Sequence, residues 1–236
     1  MLISGVQKFT LLDFPLKTAC IVFTPGCNFR CPYCYNSDFV VPEKIEKIKD
    51  IFIPEDIFFN FLKTRIGFLD GVVISGGEPT LQTDLIDFIK KIKDFNYKIK
   101  LDTNGTNFEV VKKIIDEKLI DYIAMDIKAP IEKYKDVVNV KVDTNIILKT
   151  IELIKNSNID YEFRTTVVKE QLSIEDLNGI GKIIFGANKY YLQKFRNNNE
   201  TLNVEFKDKI TYSDLEFKNI CDYVKNNFNI GVCDFR

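Results

Sequence analysis

Three cysteines in this chain are spaced for metal chemistry: Cys27-Asn-Phe-Arg-Cys31-Pro-Tyr-Cys34 reads C-x3-C-x2-C. Three thiolates on one short loop can ligate three irons of a [4Fe–4S] cube, leaving the fourth iron open to a small molecule. An electron-transfer ferredoxin ligates all four irons, so an open iron points to chemistry there. The competing readings are a structural zinc knot or unrelated free thiols. Structural zinc needs a closed set of four Cys or His ligands, and the chain has no histidine. Cys20, Cys221 and Cys233 share no ligand spacing with the triplet and are expected to be buried or incidental. Without imidazole, polar chemistry falls to Lys, Asp, Glu, Tyr and Cys.

Other segments carry groups that gain meaning from their neighbours. Gly76-Gly77 can bring backbone close to a ligand or adopt positive φ, and Glu78 would then present a carboxylate to a cation such as an ammonium group, with Pro79 fixing the exit. Alone, the motif reads more readily as an ordinary strand-to-helix turn. Asp102-Thr103-Asn104-Gly105, in isolation, is an Asx-type turn. Asp126 and Lys128 alternate with Met125 and Ile127, so both should point to one face of a strand. In an interior they need a partner or ligand; otherwise they form a structural ion pair. Arg164 could grip a carboxylate in bidentate fashion or close a rim salt bridge. Tyr33 sets a ring beside the thiols, where it could stack on a purine or shield a cluster by packing. The Lys-rich segments Lys90–Lys100 and Lys112–Lys118 read as solvated helix faces.

These groups need a frame, and short apolar runs alternate with amphipathic stretches as repeated β/α units do. Strands are expected at Ala19–Thr24, Gly71–Ser75, Lys98–Asp102, Tyr122–Asp126, Tyr161–Val168 and Tyr190–Phe195. Helices are expected near Pro54–Ile66, Thr83–Phe95, Phe108–Glu117, Thr144–Asn156, Ser173–Phe185 and Tyr212–Asn227, before a short apolar end at Ile230–Cys233. Pro54 suits a first helical turn, and Ser173 an N-cap followed by first-turn acids. Six such units imply a parallel sheet with right-handed crossovers. Five consecutive units contribute polar groups, most at carboxyl ends, where barrel active sites form; an open sheet gathers its ligand at one switch point. The expected fold is therefore α/β, a partial (β/α)6 TIM-like barrel open at the side, with residues 1–236 as a single domain.

Composition narrows the class. A chain of 236 residues with 45% hydrophobic and 28% charged residues suits a globular protein with a substantial core. A formal charge of −1 gives no argument for nucleic acid. No apolar run reaches the roughly 18 residues of a membrane span, and Met1 to Phe14 lacks signal-peptide features. Cysteines without an export signal read as ligands or free thiols, so a reducing cytoplasm is expected.

The cysteine loop followed by Gly-Gly-Glu-Pro resembles the radical S-adenosylmethionine (SAM) superfamily. The resemblance continues through Gly5-Val-Gln-Lys-Phe-Thr-Leu-Leu-Asp-Phe-Pro15, Ile74–Gln82, Leu101–Thr106, Asp121–Pro130, Tyr161–Val168 and Tyr191–Phe195. Together these are similar to the anaerobic ribonucleoside-triphosphate reductase activating proteins, a group of glycyl-radical-enzyme activases. One departure stands out: that pattern continues the third cysteine with His-Asn, where this chain has Tyr35-Asn36.

The resemblance implies a [4Fe–4S] cluster on Cys27, Cys31 and Cys34, with SAM chelating the open iron. It implies that Gly76, Gly77 and Glu78 receive the SAM amino group and that Tyr33 contacts adenine. Asn104, Asp126, Lys128 and Arg164 become candidates for ribose or carboxylate contacts, and Asp102, Thr103 and Asp126 for a monovalent-cation site beside the SAM carboxylate. A reduced cluster would pass one electron to the sulfonium, giving methionine and a 5′-deoxyadenosyl radical, with the cofactor supplying the hard chemistry. The implied target is a glycine Cα on a partner, most readily the anaerobic ribonucleotide reductase large subunit. The implied electron source is a low-potential donor such as flavodoxin or ferredoxin. No added substrate domain or auxiliary-cluster region is expected. The rival readings are a radical SAM enzyme acting on another peptide or small molecule, and an iron–sulfur electron carrier without catalysis.

Overall fold

Apolar and β-branched runs bounded by turn residues become the strands of one eight-stranded sheet in the computed structural model, which describes residues 1–197 and 201–236. The strands are β1 (Gly5–Thr10), β2 (Ala19–Thr24), β3 (Gly71–Gly76), β4 (Lys98–Thr103), β5 (Tyr122–Asp126), β6 (Asp160–Val167), β7 (Lys189–Lys194) and β8 (Val232–Phe235), neighbours in that order. β1 runs antiparallel to β2, and every later pair is parallel. Among the described residues β1 and β8 do not pair, so the barrel is open between them.

Between the strands lie α1 (Ser37–Val40), α2 (Pro42–Ile48), α3 (Glu55–Lys63), α4 (Leu85–Lys93), α5 (Phe108–Asp116), α6 (Tyr134–Val138), α7 (Thr144–Lys155), α8 (Ile174–Ile183) and α9 (Asp214–Asn227). The start of α8 is as expected: Ser173 Oγ accepts from Asp176 N–H, and the Asp176 carboxylate accepts from Ser173 N–H, a reciprocal capping box. Pro54 stands one position earlier than expected, as the N-cap of α3 rather than inside it.

Alternation along the strands sorts side chains to two faces. Cys20 and Val22, Val72 and Ile74, Ile99 and Leu101, and Ile123 and Met125 face the helices in the main core. The opposite face of the first strands carries Ala19, Ile21, Val73 and Tyr122, which close on Phe14. Gly71 permits this plug, since a Cβ there would lie 2.8 Å from the Phe14 ring. Phe14 thus seals the barrel at the amino ends of its strands. Higher on the same face the residues turn polar.

The expected partial barrel is present, with its six strands as β2–β7 and two more flanking them. β1 carries no strand signal of its own, because Gly5-Val-Gln-Lys-Phe-Thr10 lacks a clean period. β8 was too short to separate from an apolar tail. No helix among the described residues is long and apolar enough to cross a membrane.

Candidate active site

The cysteine loop leaves the carboxyl end of β2 and is fastened to the end of β3 by backbone. Gly77 N–H donates to Thr24 O and Glu78 N–H to Gly26 O, both at 2.8 Å. Gln82 Nε2 reaches Pro25 O at 2.8 Å. This contact explains the glycine pair. Gly76 has φ +118°, and a Cβ on Gly77 would sit 2.0 Å from Gly26 O. The close approach foreseen for these glycines is therefore made to the chain that carries Cys27. Within the loop, Arg30 Nη1 donates to Cys27 O (2.6 Å) and Phe29 O (2.8 Å), and Cys34 N–H to Cys31 O (3.0 Å).

Glu78 is 1% exposed and serves as a hub rather than an open receptor. One carboxylate oxygen accepts from Thr80 N–H and Oγ1 and from Thr103 Oγ1 (2.7 Å); the other accepts from Asn104 N–H (2.7 Å). Burial raises its pKa, and the bonds from Thr80, Asn104 and Thr103 oppose that rise. The expected Asx-type turn is present, since Asn104 Oδ1 accepts from Thr106 N–H at 3.0 Å. Asn104 Nδ2 donates to Asn28 Oδ1 at 2.8 Å and lies 3.9 Å from Cys27 Sγ. The carboxyl ends of β2, β3 and β4 are thereby joined.

Across the next strands runs a buried ladder of alternating charge. Lys100 Nζ pairs with Asp102 Oδ1, and Arg164 Nη1 with Asp102 Oδ2 at 3.3 Å. Arg164 Nε pairs with Asp126 Oδ1 at 2.8 Å, and Lys128 Nζ with Asp126 Oδ2 at 3.1 Å. Ser75 Oγ also donates to Asp102 at 3.1 Å. Three cations against two anions leave one net positive charge. Burial alone would raise the Asp126 carboxyl, but Arg164 and Lys128 beside it outweigh that and hold it at about 2. Asp102 is lowered in the same way by Arg164 and Lys100.

The ladder corrects one expectation. Lys100 is no solvated helix residue: it lies in β4, 1% exposed, on the face of Asp102. The three residues expected at a cation site, Asp102, Thr103 and Asp126, are engaged with the protein's own groups. Arg164 already bridges the two aspartates, and the adjacent Thr103 turns its hydroxyl to Glu78. Arg164 thus holds two carboxylates of the protein's own, one through Nε and one through Nη1.

The Cys27, Cys31 and Cys34 thiols, Tyr33, Gly76–Glu78, Asp102, Asn104, Asp126, Lys128 and Arg164 line one cavity of about 800 Å3. The residues fit an iron–sulfur cluster and a polar ligand. No three His, Cys, Asp or Glu side chains among the described residues converge as a single metal ion requires; three thiols on one cavity wall suit a larger group. Burial pushes the Cys27 thiol up to about 12 and raises Cys31 and Cys34, so their thiolates call for metal countercharge. Cys27 Sγ already accepts from Phe29 N–H at 3.3 Å. The Tyr33 hydroxyl is buried in the cavity wall beside the Cys31 thiol, with no nitrogen or oxygen partner among the described residues, and Lys128 Nζ lies 6.0 Å from its ring centroid. Tyr35, standing for the expected histidine, stacks on Phe195 at 5.8 Å, and its hydroxyl accepts from Arg196 N–H at 2.6 Å. Cys20, Cys221 and Cys233 lie away from this wall. Leu11, Leu12, Thr166, Lys194, Arg196 and Arg236 also line the cavity and were not foreseen. Their signal is weak, since Thr166 and Lys194 are ordinary strand residues and the others lie in turns or at chain ends where no spacing points to a ligand.

Residues 21–179 match the family model described as the radical SAM superfamily. A Methanocaldococcus jannaschii protein provisionally named a glycyl-radical enzyme activating enzyme is 40% identical over 82% of this chain and 80% of its own length. The pyruvate formate-lyase-activating enzyme of Streptococcus mutans is 31% identical over 54% of this chain and 50% of its own. The fold is shared with Streptococcus suis SuiB bound to S-adenosylmethionine, with a TM-score of 0.62 at 13% identity; the match covers 92% of this chain and about half (48%) of SuiB. The cysteine loop, the partial barrel and these matches together place the chain in the radical SAM superfamily, whose enzymes work with a [4Fe–4S] cluster and SAM.

Proposed function

We propose that this chain is a glycyl-radical-enzyme activase, working in the cytoplasm as one radical SAM domain over residues 1–236, with anaerobic ribonucleoside-triphosphate reductase as its partner. The observation that carries the reading is the cysteine triplet opening into a cavity that continues to the unpaired side of the barrel. The names of the M. jannaschii and S. mutans relatives support an activating role. Six free cysteines support a reducing compartment.

When bound, the cluster and SAM would supply the one-electron chemistry that lets a hydrogen atom be taken from a target glycine Cα. The chain's own residues do the rest. Cys27, Cys31 and Cys34 would hold the cluster. Gly76 and Gly77 fasten the loop, and Glu78 fixes the ends of β3 and β4 so that their backbone can receive the SAM amino group. The ladder would present Lys128 and Arg164 to the carboxylate and ribose, with Tyr33 beside adenine. A low-potential carrier of flavodoxin or ferredoxin type supplies the electron.

The test is anaerobic incubation of reconstituted protein with SAM, reductant and a candidate reductase deuterated at its target glycine. Deuterium should appear in 5′-deoxyadenosine together with a glycyl-type paramagnetic signal. Efficient SAM cleavage with neither result would overturn the activase reading.

A further inference from the structure

The last helix and the last strand bring two thiols together, away from the cysteine loop. On α9, Phe217 and Cys221 are a helical turn apart and share its buried face. On β8, Cys233 and Phe235 alternate with exposed Val232 and Asp234, so they share the face that packs on α9. Phe217 and Phe235 stack with ring centroids 5.4 Å apart and planes at 18°. From that stack the helix advances about 6 Å to Cys221. The strand, running the other way, covers about 7 Å back to Cys233. The two steps match, and the two thiols meet in a hydrogen bond, with Cys221 4% exposed and Cys233 half-buried. Tyr190, level with Cys233 on β7, gives its hydroxyl to Thr165 Oγ1 at 2.8 Å and leaves the sulfurs to each other.

The charges around the pair select its chemistry. The hydrogen bond to Cys221 and burial push the Cys233 thiol up, so Cys233 keeps its proton and Cys221 is the sulfur that accepts it. Asp222 and Asp234 adjoin the two cysteines and raise Cys233 further. The same carboxylates repel an anionic oxidant such as oxidised glutathione. A small, neutral hydroperoxide meets no such barrier.

We propose that Cys221 and Cys233 form a modification site, a dithiol that hydrogen peroxide closes reversibly to a disulfide, stapling β8 to α9. The Cys221 thiolate attacks one peroxide oxygen and expels hydroxide, which takes up the proton that Cys221 released and leaves as water. The resulting sulfenic acid is attacked at sulfur by Cys233; the S–O bond breaks and a second water leaves with the Cys233 proton. Two thiols are thereby oxidised by two electrons while one peroxide is reduced to two waters. A thiol reductant reverses the bond by exchange. Arg236, on the residue after β8, belongs to the cavity wall and bonds Glu162 Oε1 at 2.6 Å. A stapled β8 therefore steadies that wall during exposure to oxidant, whichever partner the chain serves.

The test treats cluster-loaded protein with about a tenfold molar excess of hydrogen peroxide under anaerobic conditions, alkylates free thiols and maps the peptides by mass spectrometry. A linked Cys221–Cys233 peptide should form, and dithiothreitol should remove it. Amides of residues 232–236 should exchange with deuterium about tenfold more slowly in the oxidised protein. Cys233→Ser should show neither change on peroxide treatment. Recovery of both cysteines alkylated, linkage of Cys221 mainly to a cysteine of the Cys27–Cys34 loop, or unchanged exchange in the linked protein would overturn the proposal. Equal linkage by oxidised glutathione at the same concentration would overturn the assignment of a neutral oxidant.

Discussion

Replacing Asp126 by Asn removes a charge from the middle of the ladder while keeping its shape. In the folded protein Arg164 at 2.8 Å and Lys128 at 3.1 Å hold the Asp126 carboxyl at about 2, against an ordinary value of 3.8. At about 1.4 kcal/mol per pH unit, that depression corresponds to roughly 2.5 kcal/mol of folding stability. The sign follows from the lowered folded value. The contribution is fully present above pH 3.8 and is lost as pH falls from about 4 through about 2. D126N should therefore be about 2 kcal/mol less stable than wild type at pH 7, and the two should converge on acidification as wild-type Asp126 takes up its proton. The assay is urea unfolding of the full-length chain without its cluster, under anaerobic conditions, at a series of pH values from 7 to 3. Comparing the two proteins at each pH cancels the other titrating groups. A deficit that is absent at pH 7, or equally large at pH 3, would refute the view that charge holds this ladder together.

Two further outcomes are expected. Replacing Cys27, Cys31 or Cys34 by Ala should abolish the reducible cluster, measured as bound iron and visible absorbance after reconstitution, whereas Cys20→Ala should retain it. Gly77→Ala should cost about 1–3 kcal/mol by forcing its methyl into Gly26 O; chemical unfolding should register this, and lowered iron content should show that the cysteine loop has shifted.

The parts of the site that were legible in the sequence are those where local pattern dictates position. The cysteine spacing, the alternation of Asp126 and Lys128, and the β/α period needed only neighbours a few residues away. Partnerships between strands were not legible. Arg164 could be read as a carboxylate grip, but its carboxylates are 38 and 62 residues earlier, at Asp126 and Asp102. Lys100 was lost in a lysine-rich stretch, although its alternation with Ile99 and Leu101 puts it on the face of Asp102. Glu78 was expected to face a ligand because nothing local shows that Thr80, Thr103 and Asn104 claim its oxygens. Burial of a carboxylate depends on how many donors the fold can gather round it, and that is a tertiary quantity.

An incompletely closed sheet leaves two strands with unsatisfied backbone on one side, and such edges invite pairing with other chains. Here the same seam that would admit a partner is also where copies of the protein could zip together. β1 carries a break in register between Gln7 and Thr10 and exposes Lys8 at that edge. β8 is only four residues long and exposes Asp234. Both are devices that spoil strand addition. Entry to the barrel is thus left to side-chain recognition, and engineering that flattens β1 or removes Lys8 would trade selectivity for aggregation.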